Sequence, residues 1–416
     1  MKIFRIKIYL EIRVFIRSLF KKKLDFNKTD KIILKQSNKN FLTYTSQLRT
    51  GFLLVLLFLK KKFTKKNEIV MMSYNLKEMV NVASQLKLKL IFCDIDLKTG
   101  SMDAGTLKKK ISSKTLCVVL TNIFSDYETC KKIKLICNKK KIPIIEDNAI
   151  YFDNYTKKKK KYFTGSFGDY SLFSFNIMKN ISGLYGGCVA FNDKDFSVHC
   201  ERYFNKKIKF DRILYFKQII IFIILKIFSL RLLYKYFFFY LFLYSGVKNI
   251  RFMQNIIYPS LKFEKRKIPT FYYSKISNFT KRLIFYQLVD LKRRKLIHSK
   301  RRMNNKYYYL KLKKLNLKKI TLFKIKDYNF QNYLDFPVMF KNRDKLYTYL
   351  LKKGFDTKKV HYFNCAKSFK DKGNYPNAQR AQNDILCLPN NLEIDQIFIN
   401  RLVEEIELFY DDQHQR

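Results

Sequence analysis

The chain has 416 residues, 47% of them hydrophobic, and its 85 Lys+Arg against 33 Asp+Glu give a formal net charge of +52. That length is ample for a large core, with a principal domain and a smaller one. The charge invites nucleic acid or an anionic membrane, yet Lys, Asn, Ile, Phe and Tyr are all abundant while Trp is absent and Gly numbers 11, as an AT-biased coding sequence would give. No RNA-binding signature or zinc-finger spacing supports a nucleic-acid partner. The eight cysteines are scattered without a C-x-x-C pair, which fits reduced, buried thiols in a cytosolic protein better than disulfides. Four histidines with no pair at ligand spacing argue against a catalytic metal.

The N-terminal segment, residues 1–45, opens M-K-I-F-R-I-K-I-Y-L-E-I-R-V-F-I-R, whose charges interrupt any signal-peptide core. Its apolar residues alternate from Phe4 to Ile16, which predicts a strand; a basic interfacial segment is the competing reading. Residues 46–204 alternate short apolar runs with helical stretches. Strands are predicted at 69–72, 89–94, 116–121 and 142–147, with helices from Leu76, at Ala104–Ile111 and from Tyr127 to Lys139. This spacing predicts an α/β fold, a three-layer, mostly parallel sheet with helices on both faces. Functional residues then gather beyond the carboxyl ends of the strands, where Asp94, Thr121 and Asp147 fall.

Residues 205–265 break the rhythm as a hydrophobic, basic helical insertion. Within it 218–245 is long enough to span a bilayer, but Lys226, Arg231 and Lys235 interrupt the apolar run. A helical hairpin lying in a membrane interface fits better, at the inner face of a membrane for a cytoplasmic protein. A buried hairpin or a dimer contact is the alternative. Residues 266–416 read as a small α/β C-terminal domain: a long helical stretch from Ser277 to Leu315, a strand at 336–340, a helix from Arg343 to Lys353 and a closing helix from Ile394 to Phe409.

Two residues of the large domain suggest chemistry. Asp147 ends a buried strand, and Lys179 follows the apolar run S-L-F-S-F and precedes the turn S-G-L-Y-G-G. A partly desolvated lysine has a lowered pKa and can form a Schiff base with an aldehyde. A carboxylate reaching a pyridine nitrogen keeps that nitrogen protonated, so the ring can act as an electron sink. Pyridoxal phosphate needs both partners and a phosphate cradle at a helix start. Either feature alone is weak, since most lysines are solvated cations and most strand-end aspartates are helix caps.

Taken with their neighbours they resemble a known family. I-P-I-I-E-D-N-A, G-S-F-G-D and S-F-N-I-M-K-N-I-S-G-L-Y-G-G look like the DegT/DnrJ/StrS nucleotide-sugar aminotransferases, which are fold-type I pyridoxal-phosphate enzymes. E-I-V-M-M-S-Y, L-I-F-C-D-I-D-L-K-T-G, K-R-R-M-N-N-K-Y-Y and Y-P-N-A-Q-R-A-Q-N-D-I-L-C-L-P extend the likeness over roughly 46–200 and 266–410. The resemblance implies that Lys179 bonds the cofactor, Asp147 meets its ring nitrogen and Ser174 contacts its phosphate. It places Arg49, Thr50 and Gly51 in the phosphate loop, although Gln47-Leu48 stands where Ser-Gly is common. Leu76 occupies the position of a stacking aromatic, with Tyr74 nearby as a substitute. Ile150 replaces a polar residue near the cofactor's phenolic oxygen, Asn176 replaces a frequent His, and the segment around Ser274 and Lys275 matches a partner-subunit contact poorly.

The implied activity is transfer of an amino group from glutamate or glutamine to a keto group of a nucleotide-linked sugar, for surface polysaccharide or glycan biosynthesis, by a homodimer. Dehydratases of the family carry histidine in place of this lysine, so Lys179 favours transamination. The second reading is a degenerate family member that acts as a membrane-surface scaffold.

Overall fold

The computed structural model describes residues 2–4, 8–20, 24–124, 126–156, 162–207, 212–247, 267–268, 270–274, 276–315, 317–360 and 362–412. Seven strands build the large sheet: β1 (Phe41–Thr45), β2 (Glu68–Met72), β3 (Lys89–Cys93), β4 (Thr115–Thr121), β5 (Ile144–Asn148), β6 (Tyr170–Ser174) and β7 (Gly187–Phe191). Their spatial order is β1-β7-β6-β5-β4-β2-β3. Strands β6, β5, β4, β2 and β3 are parallel neighbours, while β7 pairs antiparallel with both β6 and β1. Every residue of β2, β4, β5 and β7 is buried, which is why β2, β4 and β7 read as largely apolar runs rather than alternating ones, while β5 carries buried Glu146, Asp147 and Asn148. Burial of each aliphatic side chain there contributes roughly 1.5–3 kcal/mol.

Local signals set the helices. Asp103 and Asp126 accept backbone N–H groups at the starts of Ala104–Lys110 and Tyr127–Lys139, caps that contribute about 0.5–2 kcal/mol each. Helix α1 (Leu48–Lys62) lies against the sheet so closely that a Cβ on Gly51 would meet Val189 Cγ2 at 2.5 Å. The predicted helix across Ser277–Leu315 is two helices, Asn278–Val289 and Leu291–Lys314, because Asp290 leaves helical geometry and caps the second through the Arg293 N–H.

Two expectations are corrected. The alternation from Phe4 to Ile16 does not produce a strand: Ile12–Leu19 is a helix, with Val14 and Phe15 turned toward an apolar cluster. Residues 5–7 of that stretch lie outside the described residues. The large sheet also starts ahead of residue 46, since β1 pairs with β7 along its whole length. The segment expected as a helical hairpin is helical, as Arg212–Phe228 followed by Arg231–Leu233, a π-type turn at Tyr234–Phe238 and Phe239–Val247. Residues 208–211 and 248–265 of the insertion lie outside the described residues. Among the described residues, no helix is long and apolar enough to cross a membrane.

The C-terminal unit is a four-stranded antiparallel sheet in the order Ile320–Leu322, Phe336–Phe340, Ile385–Leu388, Lys358–Lys359, accompanied by helices 343–352 and 396–411. Two links join it to the large sheet. Asp94 accepts the Asn377 and Ala378 N–H groups at 3.0 and 2.9 Å, capping helix Pro376–Asp384, so this strand-end carboxylate is structural. The short pair Tyr74–Asn75 and Phe363–Asn364 forms the second link. All eight cysteines are buried and unbridged.

Candidate active site

Strand β5 presents two neighbouring carboxylates to opposite faces of the sheet, as the two-residue period demands. Glu146 is fully buried and accepts N–H bonds from Gly165, Phe167 and Gly168 at 2.7–2.8 Å, with Asn122 Nδ2 at 2.9 Å. It stitches the 165–168 turn to the sheet. Asp147 is also buried but, among the described residues, accepts only the Ala149 N–H, at 3.0 Å. Its neighbours in the sheet are Thr121 and Leu172.

Lys179 sits on the loop between β6 and β7. The loop is tied across its base by Phe175 N–H to the Gly186 carbonyl at 2.9 Å and Gly183 N–H to the Phe175 carbonyl at 2.7 Å. From outside, Gln287 receives the Ser182 N–H at 3.0 Å and donates to the Ser182 carbonyl at 2.6 Å. The Gly-Gly pair closes the loop for two reasons. Gly186 has φ +139°, a region that side chains disfavour, and a Cβ on Gly187 would lie 2.5 Å from the Leu48 nitrogen. The glycine backbone therefore presses against the N-terminus of α1.

Lys179 and Asp147 lie within electrostatic reach of each other. The Lys179 amine is lowered from 10.5 to about 8, first by burial and then by Lys358; Asp147 and Asp335 oppose the shift and Arg49 adds to it. Asp147 is raised from 3.8 to about 6 by burial, with the Ala149 N–H and Lys179 pulling it back and Glu146 adding to the rise. A lowered amine and a raised acid that feel each other's charge, near the carboxyl ends of parallel strands, mark a candidate functional site.

The other expected site residues divide. Arg49, in the first turn of α1, faces Lys179 electrostatically; its guanidinium lies 5.5 Å from the Tyr272 ring and 3.9 Å from Glu78. Ser174 ends β6 opposite Gly187, beside the same helix N-terminus. Thr50 and Gly51 lie in the first turn of the same helix: the buried Thr50 hydroxyl donates to the Tyr272 carbonyl at 2.8 Å, and Gly51 admits Val189. Tyr74, the expected stacking substitute, is 1% exposed in the core, its ring 5.7 Å from Tyr362. The Tyr362 phenol is raised by burial and next by Asp147, so a second aromatic lies within electrostatic reach of that acid. Gln47, where Ser-Gly was expected with Leu48, gives its amide N–H to Tyr185 OH at 3.0 Å and buries an amide oxygen that has no partner among the described residues. Ser274 is buried, and Lys275 lies outside the described residues.

Three neighbours were missed from sequence: Tyr362, Lys358 and Asp335, the last two joined by a 3.0 Å ion pair. All three come from the C-terminal unit, where short strands and an abundance of lysine leave no periodic signal.

An acid on a strand and an amine on the loop that follows the next strand, with a helix N-terminus, an arginine and a hydroxyl nearby, form a candidate site of the kind that holds pyridoxal phosphate. The donor set fits that cofactor. Comparison with known proteins narrows the class. The sequence pattern of the DegT/DnrJ/EryC1/StrS aminotransferase family matches residues 39–217 and 262–407, and the chain belongs to that family.

GDP-perosamine synthase of Escherichia coli O157:H7 is 28% identical over 175 residues, 42% of this chain and 47% of that protein. GDP-4-keto-6-deoxy-D-mannose 3-dehydratase of Yersinia pseudotuberculosis is 29% identical over 174 residues, 39% of this chain and 44% of that protein. The chain thus spans about half the length of the curated relatives it matches. Helicobacter pylori PseC, an aminotransferase involved in the biosynthesis of pseudoaminic acid, shares the fold at TM-score 0.72 and 14% identity, over 99% of this chain and all of that one. The sugar aminotransferase CalS13 of Micromonospora echinospora does so at 0.72 and 13%, over 98% and 99%.

Proposed function

We propose that the chain is a pyridoxal-phosphate-dependent aminotransferase that converts a keto group of a nucleotide-linked sugar to an amine, with glutamate or glutamine as donor. The observation that carries this reading is the Lys179 amine, lowered to about 8, within reach of the Asp147 carboxyl. The intact pair argues against the scaffold reading. When bound, pyridoxal phosphate supplies an electron sink for charge developing on the donor's α-carbon.

The chain's own residues do the rest. Lys179 Nζ would hold the cofactor covalently and, when free, would take the proton from the donor's α-carbon as general base and give it up again as general acid. Asp147 would keep the ring nitrogen protonated, and its burial would keep competing water away. Arg49, Ser174 and the N-terminus of α1 would hold the phosphate. Glu146 is committed to the 165–168 turn and takes no part.

The dehydratase relatives use a related sugar, but the lysine at 179 favours amination. The names of the relatives make a GDP-linked 4-keto-6-deoxy sugar the first substrate to try. A cytoplasmic homodimer with sites shared between subunits belongs to the same proposal. The test is an absorbance spectrum of purified protein with pyridoxal phosphate, before and after glutamate, followed by product analysis with the keto sugar. Visible absorbance that glutamate bleaches and the keto sugar restores is expected. A spectrum identical to free cofactor overturns the proposal.

A further inference from the structure

The 212–247 hairpin is apolar on both sides. Its inner side is anchored: Phe222, Leu225, Tyr234 and Phe239 are buried in one cluster with Ile177, Leu184, Phe279, Leu283 and Leu351. The Tyr234 hydroxyl donates to Asp356 at 2.7 Å, and Lys226 Nζ donates to the Ile8 carbonyl at 3.2 Å. The outer side faces water. On the first arm Ile213, Phe216, Ile220, Ile223 and Ile227 recur at helical spacing and are all exposed, Ile213 by 84%. On the second arm Tyr236, Tyr240 and Tyr244 form an exposed stripe every four residues, beside Leu232, Phe237 and Leu241. The N-terminal helix extends the surface. Phe15 stacks on Phe222 at 4.9 Å, while Ile12, Ile16, Leu19 and Phe20 of that segment are exposed. A helix apolar all round is ordinarily buried in a core or in lipid.

Charge selects between occupants. From 212 to 263 the sequence contains no Asp or Glu, whereas Arg212, Lys217, Arg231 and Lys235 are exposed along the hairpin, Lys226 being turned to the anchored side. A second copy placed face to face would set these cations against their equals with no carboxylate between them. An anionic lipid surface matches both features: acyl chains for the isoleucine and leucine faces, headgroups for the cations, and the interfacial level for a tyrosine stripe.

We propose that the outer face of the hairpin, with helix Ile12–Leu19, docks this protein on an anionic bilayer surface, lying in the interface without crossing it. The docking face is built on the back of the catalytic loop, because Ile177 and Leu184, which flank Lys179, belong to the cluster that anchors the hairpin. Docking therefore fixes the orientation of the active site relative to the membrane. The inference does not depend on catalysis, so Lys179→Ala protein should bind vesicles as the unaltered chain does.

The experiment is flotation of the full chain with phosphatidylcholine vesicles, with and without phosphatidylglycerol. Co-flotation is expected with the anionic vesicles and weakly or not at all with neutral ones. The triple variant Phe216→Glu, Ile220→Glu, Ile223→Glu changes only exposed positions and should lower the bound fraction by about tenfold or more. Because the chain has no Trp, Phe237→Trp supplies a single reporter whose emission should shift to the blue on anionic vesicles even if the triple variant fails to fold. Unchanged Trp emission and no flotation overturn the proposal. Equal binding to neutral vesicles overturns its electrostatic half. A triple variant that only dissociates an oligomer, without vesicle binding by the parent, assigns the face to a second copy instead.

Discussion

The Lys179 loop and the outer face of the 212–247 hairpin meet at one apolar cluster, yet they depart from ordinary burial in opposite directions. In the loop, ionisable groups are withdrawn from water; on the hairpin, large apolar groups are left in it. The first departure is concentrated in two side chains, and its desolvation cost appears directly as shifted proton affinities. The second is spread over more than a dozen side chains, and no one of them matters much alone. Sites of chemistry and sites of docking therefore call for different experiments: single substitutions for one, multiple substitutions for the other.

The sharpest break is at the amine. Lys179→Ala should lower turnover by at least about a thousandfold and remove the visible absorbance of lysine-bound cofactor, read by spectrophotometry and product assay. Next comes the contrast between adjacent carboxylates. Asp147→Asn should lower turnover by about a hundredfold or more, while raising the melting temperature of cofactor-free protein at pH 7. The sign follows from the shift. Asp147 moves from 3.8 to about 6 in the fold, so between those values the fold holds a proton that the unfolded chain has lost, and stability falls as pH rises through that window. Glu146→Gln should act in the reverse sense, costing about 1–3 kcal/mol by denaturant titration, because one of the two oxygens that accept backbone N–H groups becomes an NH2 donor. Equal behaviour of the two variants would erase the distinction between chemical and structural carboxylates.

The pH dependence is gentler. Lys179 falls from 10.5 to about 8, so the unfolded chain binds a proton between those values that the fold does not, and cofactor-free protein gains stability as pH rises across them. The rate at which that protein captures pyridoxal phosphate should rise with a midpoint near pH 8; a midpoint at the ordinary lysine value would show an unperturbed amine. Smallest of all, Ile213→Ser on the hairpin should change stability in solution by no more than about 0.5 kcal/mol, measured by thermal melting. A larger loss would mean that this face is already covered in the free protein.

Much of the large domain was legible because a parallel sheet buried on both faces leaves runs such as I-V-M-M and L-C-V-V-L-T. The order of Asp147, Lys179 and Gly186-Gly187 was legible for a similar reason, since cofactor chemistry requires particular residue types there. Strand Phe41–Thr45 was missed because only its pairing with Gly187–Phe191 distinguishes it from the preceding segment. The strand expected from Phe4 to Ile16 failed because alternation in a short basic stretch is outweighed by packing: Phe15 finds Phe222 and Phe279 from a helix. Asp94 looked like a site residue at a strand end, but the N-terminus of helix Pro376–Asp384 claims its carboxylate.

By itself the sequence determined the alternation of strands and helices, the candidates for the amine and the acid, and the oily, cationic character of the insertion, all properties of nearby residues and their spacing. Only the tertiary structure decided which lysine lies beside which carboxylate, that Lys358, Asp335 and Tyr362 join them, and that the insertion is anchored on the back of the Lys179 loop. Those outcomes depend on burial and on long-range charge, which exist only after distant segments have been brought together and water has been excluded from between them.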